Sequence, residues 1–236
     1  MYSASVKGVT VQRTIVVISA GLGVPSSTRM LADQMAAAVQ ERLGEAGAEA
    51  VLDVVDLRDY AADIANNMLA GYAGPALADV ISRVAGADAM IAVTPTFSAS
   101  YSGLFKSFFD VLDPKFLDGM PVLFGATGGS SRHSLVLDMA IRPLFSYLRA
   151  RTMPTAVYAS PEDWGQAGTD ALDRRIGLAA AELAAVLAPI PTTTPAPGDT
   201  SSARPAVDHK AKRRERETVE MTSLPFEQLL AQTQAR

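Results

Sequence analysis

The sequence contains no cysteine and only two histidines, so most side chains that ligate transition metals or attack through sulfur are missing. Without cysteine the chain has no disulfide, thiolate metal site, iron–sulfur cluster or cysteine nucleophile. With His133 and His209 alone we also expect no histidine-ligated metal site. The sequence therefore points away from metal and thiol chemistry.

Strong charge of either sign and long apolar runs are missing as well. The 21 Lys+Arg and 25 Asp+Glu give a formal net charge of −4, so no basic face is expected for nucleic acid. No apolar run approaches the roughly 20 residues of a membrane-spanning helix. The first residues also lack the apolar stretch of a secretory signal. These absences predict a soluble cytoplasmic protein with neither nucleic acid nor membrane as its partner.

The composition changes near Pro189, where the segment PIPTTTPAPG begins. Such a segment forms neither a helix nor a central strand. We therefore expect one folded domain over residues 1–188, followed by a Pro/Thr-rich linker and a disordered polar tail over residues 189–236. A short amphipathic turn around Phe226 that docks on a partner is an alternative for part of the tail.

Within the first 188 residues, short apolar runs rich in Val and Ile alternate with segments of helical period. The predicted strands cover residues 14–20, 50–56, 88–94, 121–127 and 152–158, and the predicted helices 27–44, 75–85, 103–112, 134–149 and 169–187. This alternation predicts an α/β fold with a doubly wound parallel sheet of five strands and helices on both faces. Ligands of such sheets bind beyond the carboxyl ends of the strands. The loops after strands one, three and four are therefore the candidate site.

The first loop, from Ser19 to Arg29 (SAGLGVPSSTR), joins strand one to a helix. Its glycines permit a tight turn, and Ser26, Ser27 and Thr28 stand where the helix begins. Free N–H groups and the helix dipole favour an anion there, to which Arg29 would add charge. The loop thus predicts a phosphate cradle, with simple helix capping by serine as the alternative. The glycine spacing only partly matches a dinucleotide fingerprint.

The second loop, residues 94–106 (TPTFSASYSGLFK), is rich in hydroxyl groups that suit a flat polar heterocycle. Either Phe97 or Tyr101 would pack on the face of such a ring. An ordinary loop whose aromatic side chains fill the core is the alternative.

The third loop, residues 127–133 (TGGSSRH), contains paired glycines. Because Gly128 and Gly129 lack Cβ atoms, a ligand can approach their backbone closely. No carboxylate in the sequence is an evident partner that would orient His133 for catalysis. We therefore expect His133 at a helix start or an interface rather than in catalysis.

Together the loops carry a specific resemblance. The segments PSST at 25–28, TPTF at 94–97, YSGLFK at 101–106 with Asp110, ATGG at 126–129 with His133, and DMAIRP at 138–143 occur in this order over residues 14–160. The chain resembles the NADPH-dependent FMN reductases of the flavodoxin-like superfamily. It is most similar to those that supply reduced FMN to luciferase-like two-component monooxygenases. The resemblance implies a flavodoxin-like sheet of order 2-1-3-4-5.

The resemblance also implies a site. Ser26, Ser27 and Thr28 would hold the FMN phosphate, with Ser19 and Arg29 in the same loop. The isoalloxazine ring and ribityl chain would be lined by Pro95, Thr96, Phe97 and Ser98, and the edge of the ring would be closed by Thr127, Gly128 and Gly129. Met139 stands where some relatives have an interface tyrosine, and relatives form homodimers or homotetramers.

The implied reaction is hydride transfer from NADPH, with NADH also possible, to FMN. The cofactor carries this chemistry, so no catalytic side chain is expected. Arg29 and Arg132 are the candidates for selecting NADPH. Two alternatives stay open: a quinone or azo reductase that keeps FMN bound, and a non-catalytic flavin-binding electron carrier. The mild charge argues against a carrier, which would use strong acidity for docking.

Overall fold

The computed structural model describes residues 11–164 and 169–189. The predicted tail beyond Pro189, including the amphipathic turn around Phe226, lies outside the described residues. Within the described ranges, no helix is both long enough and apolar enough to cross a membrane.

The core of the molecule is one twisted sheet whose main strands are parallel. The strands are β1 (Val11–Ser19), β2 (Ala48–Asp56), β3 (Ala89–Phe97), β4 (Ser100–Tyr101), β5 (Pro121–Thr127), β6 (Arg151–Thr152) and β7 (Val157–Ala159). Their order is β2-β1-β3-β5-β6, with β7 also pairing in parallel with β5 and β4 pairing antiparallel with the end of β3. The predicted doubly wound sheet of order 2-1-3-4-5 is confirmed, because β6 and β7 occupy the place of the predicted fifth strand.

The predicted fifth strand is split by Pro154, which has no N–H to donate to a sheet. The Met153 N–H still donates to the Val122 carbonyl of β5 at 2.9 Å, but the next backbone groups bond to side chains. Arg142 donates to the carbonyls of Met153 and Pro154, each at 3.0 Å. The N–H and hydroxyl of Thr155 both donate to the Glu182 carboxylate, at 2.8 and 2.7 Å. The prediction of one continuous strand was wrong here because these side-chain bonds replace the ladder.

In the part of the chain that the structure describes, six α-helices cover the sheet: α1 (Ser27–Glu45), α2 (Ala61–Ala70), α3 (Pro75–Gly86), α4 (Gly103–Asp110), α5 (Arg142–Tyr147) and α6 (Thr169–Leu187). The sequence did not predict α2. The predicted helix over residues 134–149 is instead a π-helical turn, Leu137–Ile141, followed by α5. Pro143 lacks the N–H that would continue an α-helical ladder, and the N–H of Arg142 bonds to the Leu137 carbonyl five residues back.

Successive side chains of β1 point to opposite faces of the sheet and pack in two separate hydrophobic cores. Ile15 and Val17 pack on one side of the sheet with α1 and α6, whereas Val16 and Ile18 pack on the other side with the remaining helices. Both faces are therefore covered. The carboxyl ends of β1, β3, β5 and β7 meet at one open edge beside the start of α1.

Candidate functional site

The loops that follow β1, β3, β5 and β7 enclose a cleft of about 400 Å³ at the carboxyl edge of the sheet. This volume lies within the range of small-molecule and cofactor sites. The lining consists of Leu22, Gly23, Pro25, Ser26, Ser27, Thr28, Pro95, Thr96, Phe97, Thr127, Gly128, Gly129, Ala159, Pro161 and Trp164. None of these residues is charged, so a ligand meets hydroxyl groups, backbone amides and aromatic rings.

The N-terminus of α1 forms one wall of the cleft. The Ser26 side chain caps the helix by accepting a hydrogen bond from the Arg29 N–H at 3.2 Å, and the first turn contains no acidic residue. The Met30 N–H donates to the Ser26 carbonyl at 3.0 Å. The N–H groups of Ser27 and Thr28 therefore stay available at the positive end of the helix dipole. The serine cap is therefore observed, and it leaves free the two N–H groups that the predicted anion cradle would use.

Buried hydroxyl groups lie behind this wall. The hydroxyl oxygens of Thr28 and Thr127 are 2.8 Å apart, and both residues are buried. One of the two donates and the other accepts, so the accepting hydroxyl keeps its own proton for a ligand. The Ser19 hydroxyl at the end of β1 is completely buried and has no hydrogen-bond partner among the described residues. Hydroxyl donors thus exceed what the protein itself uses.

The end of β3 forms the opposite wall. Phe97 is 46% exposed although it lines the cleft, which leaves an aromatic face open to a ligand. Ser98 and Ala99 have φ values of 49° and 63° and form the two-residue turn into β4. Tyr101 does not share the role of Phe97, because it packs towards the core on Phe105, with ring centroids 6.0 Å apart.

The segment after β7 completes the cleft with Pro161 and the only tryptophan, Trp164. Asp163 holds this segment in place by accepting bonds from the N–H and hydroxyl of Ser160, both at 2.8 Å, and from Arg175 at 2.7 Å. Burial opposes the charge on Asp163, but the bonds from Ser160 and Arg175 prevail and lower the pKa of its carboxyl group. Trp164 was not among the predicted site residues; its position just after a strand end was the signal that would have placed it here.

Nine of the twelve predicted site residues line the cleft: Ser26, Ser27, Thr28, Pro95, Thr96, Phe97, Thr127, Gly128 and Gly129. Ser19 lies buried at the end of β1, and Ser98 is exposed in the hairpin turn.

The twelfth predicted residue, Arg29, is not brought into the cleft. Its guanidinium is engaged by Asp33 at 2.8 Å and by Asp56. The hydrogen bond with Asp33, together with the charges of both carboxylates, raises the pKa of Arg29 despite partial burial. The guanidinium of Arg29 is thus committed to protein carboxylates.

A sequence model of the NADPH-dependent FMN reductases matches residues 13–165. The chain belongs to this family. It is an oxidoreductase family that takes FMN and a nicotinamide nucleotide, as the loop motifs implied. An FMN reductase (NADPH) from Pseudomonas aeruginosa is 37% identical over 170 residues, which cover 70% of this chain and 88% of that protein. An NADH-dependent FMN reductase from Pseudomonas putida is 36% identical over 154 residues, 64% of this chain and 80% of that protein.

Solved structures agree with the family in fold. An oxidoreductase from Corynebacterium diphtheriae superposes with a TM-score of 0.72 at 43% identity, covering 74% of this chain and 96% of that one. The apo form of an NADH:FMN oxidoreductase superposes with a TM-score of 0.67 at 27% identity, covering 77% and 93%.

The residues present fit the FMN of this family. A phosphate ester needs hydrogen-bond donors, which the first turn of α1 supplies at the cleft wall, while the Ser19 hydroxyl lies buried behind that wall. A flat heterocycle needs a ring face and close backbone, which Phe97 and the turn at Gly128 and Gly129 supply.

A larger hollow of about 540 Å³ lies elsewhere, bordered by Pro114, Lys115, Asp118, Tyr147 and Arg149. These residues precede β5 and β6, so the hollow is at the amino ends of the strands. Ligands of doubly wound sheets bind at the opposite, carboxyl edge. The hollow therefore does not compete with the cleft as the site of the family's reaction.

Proposed function

We propose that the protein is an NAD(P)H-dependent FMN reductase that uses the cleft at the carboxyl edge of the sheet. The observation that carries the proposal is the uncharged, donor-rich cleft at the start of α1 in a chain of the FMN reductase family. Relatives are named for NADPH or for NADH, so either nucleotide is a candidate reductant.

In this proposal the phosphate lies against Ser26, Ser27 and Thr28, with the Ser19 hydroxyl behind them. The support is the pair of available N–H groups and the absence of a carboxylate in the first helical turn. Arg29 acts at a distance by holding the helix start against Asp56 rather than by touching the phosphate.

The isoalloxazine ring lies between Pro95, Thr96 and Phe97 on one side and Thr127, Gly128 and Gly129 on the other. When bound, FMN supplies the chemistry by accepting a hydride from the nicotinamide. The protein orients the two partners, and no side chain has to act as nucleophile or base. Ser98 shapes the hairpin behind Phe97 without direct contact.

Trp164 allows a direct test, because it is the only tryptophan and it lines the cleft. We expect FMN to quench its fluorescence saturably, and NAD(P)H oxidation to saturate with added FMN. Ser27→Ala should weaken FMN binding, whereas Ser146→Ala, an exposed serine on α5, should not. Rapid oxidation only with an added quinone would favour a quinone reductase, and FMN binding with negligible oxidation a carrier. Absence of quenching would refute the flavin site.

We further propose that reduced flavin leaves the cleft for a partner monooxygenase. The support is an open rim, since Leu22 and Phe97 beside the cleft are 53% and 46% exposed. In a coupled assay, a flavin-dependent monooxygenase of the luciferase-like class should turn over with this protein, FMN and NAD(P)H. Retention of reduced FMN on the protein through gel filtration would contradict the transfer.

A homo-oligomer is the remaining proposal, dimeric or tetrameric. Leu135, which precedes the π-helical turn, and Met139, which lies within it, are 63% and 73% exposed. Apolar side chains clustered on a surface mark interaction sites. Light scattering should give a multiple of the 24.8 kDa chain mass, reduced by Met139→Lys but not by Met68→Lys on α2. A monomeric wild-type protein would refute it.

A further inference from the structure

Tyr158 lies beneath the turn at Gly128 and Gly129 that lines the cleft. It is 5% exposed, and its hydroxyl donates to the Ser130 carbonyl at 2.8 Å. A Cβ atom built on Gly128 would lie 2.1 Å from the Tyr158 hydroxyl oxygen and 3.2 Å from its Cζ. The end of the tyrosine side chain therefore fills the space under Gly128, which explains the glycine there.

The turn from Gly128 to Ser130, called here the glycine turn, is held at both ends. At its start the Gly128 N–H donates to the Ala159 carbonyl at 3.1 Å, and at its end the Ser130 carbonyl accepts from Tyr158. Gly129 lies between the two anchors and lines the cleft. Its N–H forms no hydrogen bond with another described residue, so it is a donor fixed in place without a protein acceptor.

The direction of the Tyr158 bond is set by its chemistry. Burial raises the pKa of the Tyr158 hydroxyl, and the Asp163 carboxylate adds to the rise, while the nearby Thr96 hydroxyl works in the opposite sense. The hydroxyl is therefore protonated at neutral pH. A carbonyl can only accept, so the proton points from Tyr158 to Ser130.

We propose that Tyr158 is a positioning residue of the flavin site, which holds the Gly129 N–H on the cleft wall through its bond to Ser130. The inference rests on the proposed FMN site. A donor fixed before binding suits a ring nitrogen or carbonyl of a flat heterocycle, because no reorganisation is needed when the ligand arrives. Without the hydroxyl, the Ser130 carbonyl would keep only the local bond from the His133 N–H at 3.2 Å, and the Gly128 N–H would be the one remaining tie of the turn to β7 that is described.

The test removes one oxygen atom. Tyr158→Phe keeps the ring, and Tyr147→Phe, at an 80% exposed position on the other side of the molecule, is the matched control. FMN and riboflavin affinities are measured on the full chain by quenching of Trp164, and Tm is measured without flavin. We expect Tyr158→Phe to weaken both flavins equally, by about 3- to 10-fold, as for one lost hydrogen bond. The control should bind both flavins as the wild type does.

Riboflavin separates this role from the phosphate cradle, since it has the ring and no phosphate. Ser27→Ala should weaken FMN alone, whereas Tyr158→Phe should weaken both flavins. A Tyr158→Phe protein with unchanged affinity for both, or with a loss confined to FMN, overturns the positioning role. A wild-type protein that binds neither flavin refutes the proposed function itself.

Gly128→Ala tests the same contact if Tyr158→Phe folds poorly. The added methyl group would push the turn away from the tyrosine hydroxyl, so both flavins should bind at least 3-fold more weakly. In the Tyr158→Phe background the nearest contacts of that methyl group are Cζ at 3.2 Å and the Thr96 Cβ at 3.3 Å. The double variant should therefore have a higher Tm than Gly128→Ala alone. Unchanged flavin binding by Gly128→Ala, or a double variant that loses the sum of both Tm changes, overturns the proposal.

Discussion

The buried contact between Thr28 and Thr127 should respond differently to single and to paired replacement. The hydroxyl oxygens are 2.8 Å apart, and the residues are 2% and 4% exposed. Valine has nearly the shape of threonine without the oxygen. Thr28→Val or Thr127→Val alone would leave the other hydroxyl buried and unpaired, which costs about 1–3 kcal/mol of the free energy of unfolding. At about 2–4 °C per kcal/mol, Tm should fall by roughly 2–12 °C.

The double variant removes both polar groups, so neither is left without a partner. Replacing both members of a buried hydrogen bond by apolar groups of the same shape is nearly neutral. We therefore expect its free energy of unfolding to return to within about 1 kcal/mol of the wild type. FMN binding should not recover, because the double variant also lacks the spare hydroxyl proton that would serve the flavin in the proposed site. From the single to the double variants, the free energy of unfolding therefore recovers while the FMN affinity does not.

Urea denaturation of the flavin-free chain measures stability, and quenching of Trp164 measures FMN affinity. Thr152→Val is the control, since Thr152 lies in β6 near the amino end of the sheet and its hydroxyl forms no hydrogen bond with another described residue. A double variant as unstable as the sum of the single variants would show that the hydroxyls bond elsewhere. A double variant that binds FMN normally would remove the pair from the flavin site.

Three further outcomes are expected. Gly21→Ala would place a Cβ atom 2.0 Å from the Ser26 hydroxyl oxygen and displace the helix cap, so urea denaturation should show a free energy of unfolding lower by about 1–2 kcal/mol. Gly44→Ala is the control, because the position has open space in α1, and it should raise the free energy of unfolding by up to about 1 kcal/mol. Equal effects of the two variants would contradict the contact between Gly21 and Ser26. Folding lowers the pKa of Asp163, so the contribution of its carboxylate to the free energy of unfolding is complete above about pH 4 and is lost as the pH falls through the pKa of the folded state. Asp163→Asn should therefore flatten the pH dependence of Tm below about pH 4. An unchanged slope would argue against the bonds with Ser160 and Arg175. Arg132 is exposed near the glycine turn and forms no ion pair with any described residue. Arg132→Ala should therefore lower kcat/KM for NADPH by about 10-fold and leave kcat/KM for NADH unchanged. Equal losses for both nucleotides would exclude selection of the 2′-phosphate by Arg132.

Much of the fold was predictable because the buried strands carry their own signal. The Val- and Ile-rich runs of β1, β3 and β5 are almost entirely buried, and no other element explains such runs at this spacing. The helix α2 was not predictable in the same way, because Ile64 is its only buried residue and leaves no apolar stripe. The break in the last strand depends on Arg142 and Glu182, which the fold brings from distant positions.

The site was predictable to the extent that strand ends are predictable. Thr28, Pro95 and Thr127 meet because parallel strands end at one edge, and the loop sequences mark those ends. Whether a charged side chain faces the cleft is decided by its other partners. The sequence could not show that Arg29 is held by Asp33 and Asp56, because the second of these carboxylates arrives from the end of β2.

The interrupted last strand also decides how copies of this protein can associate. Among the described residues, one margin of the sheet consists of β6 and β7, with two and three residues, separated by Pro154. Glu182 has already taken the N–H of Thr155 that a neighbouring chain would need. Such a short, broken margin is a poor template for another strand. Assembly by extending one sheet through two molecules is therefore disfavoured on this side, which leaves helical surfaces and the opposite edge at β2 for self-association.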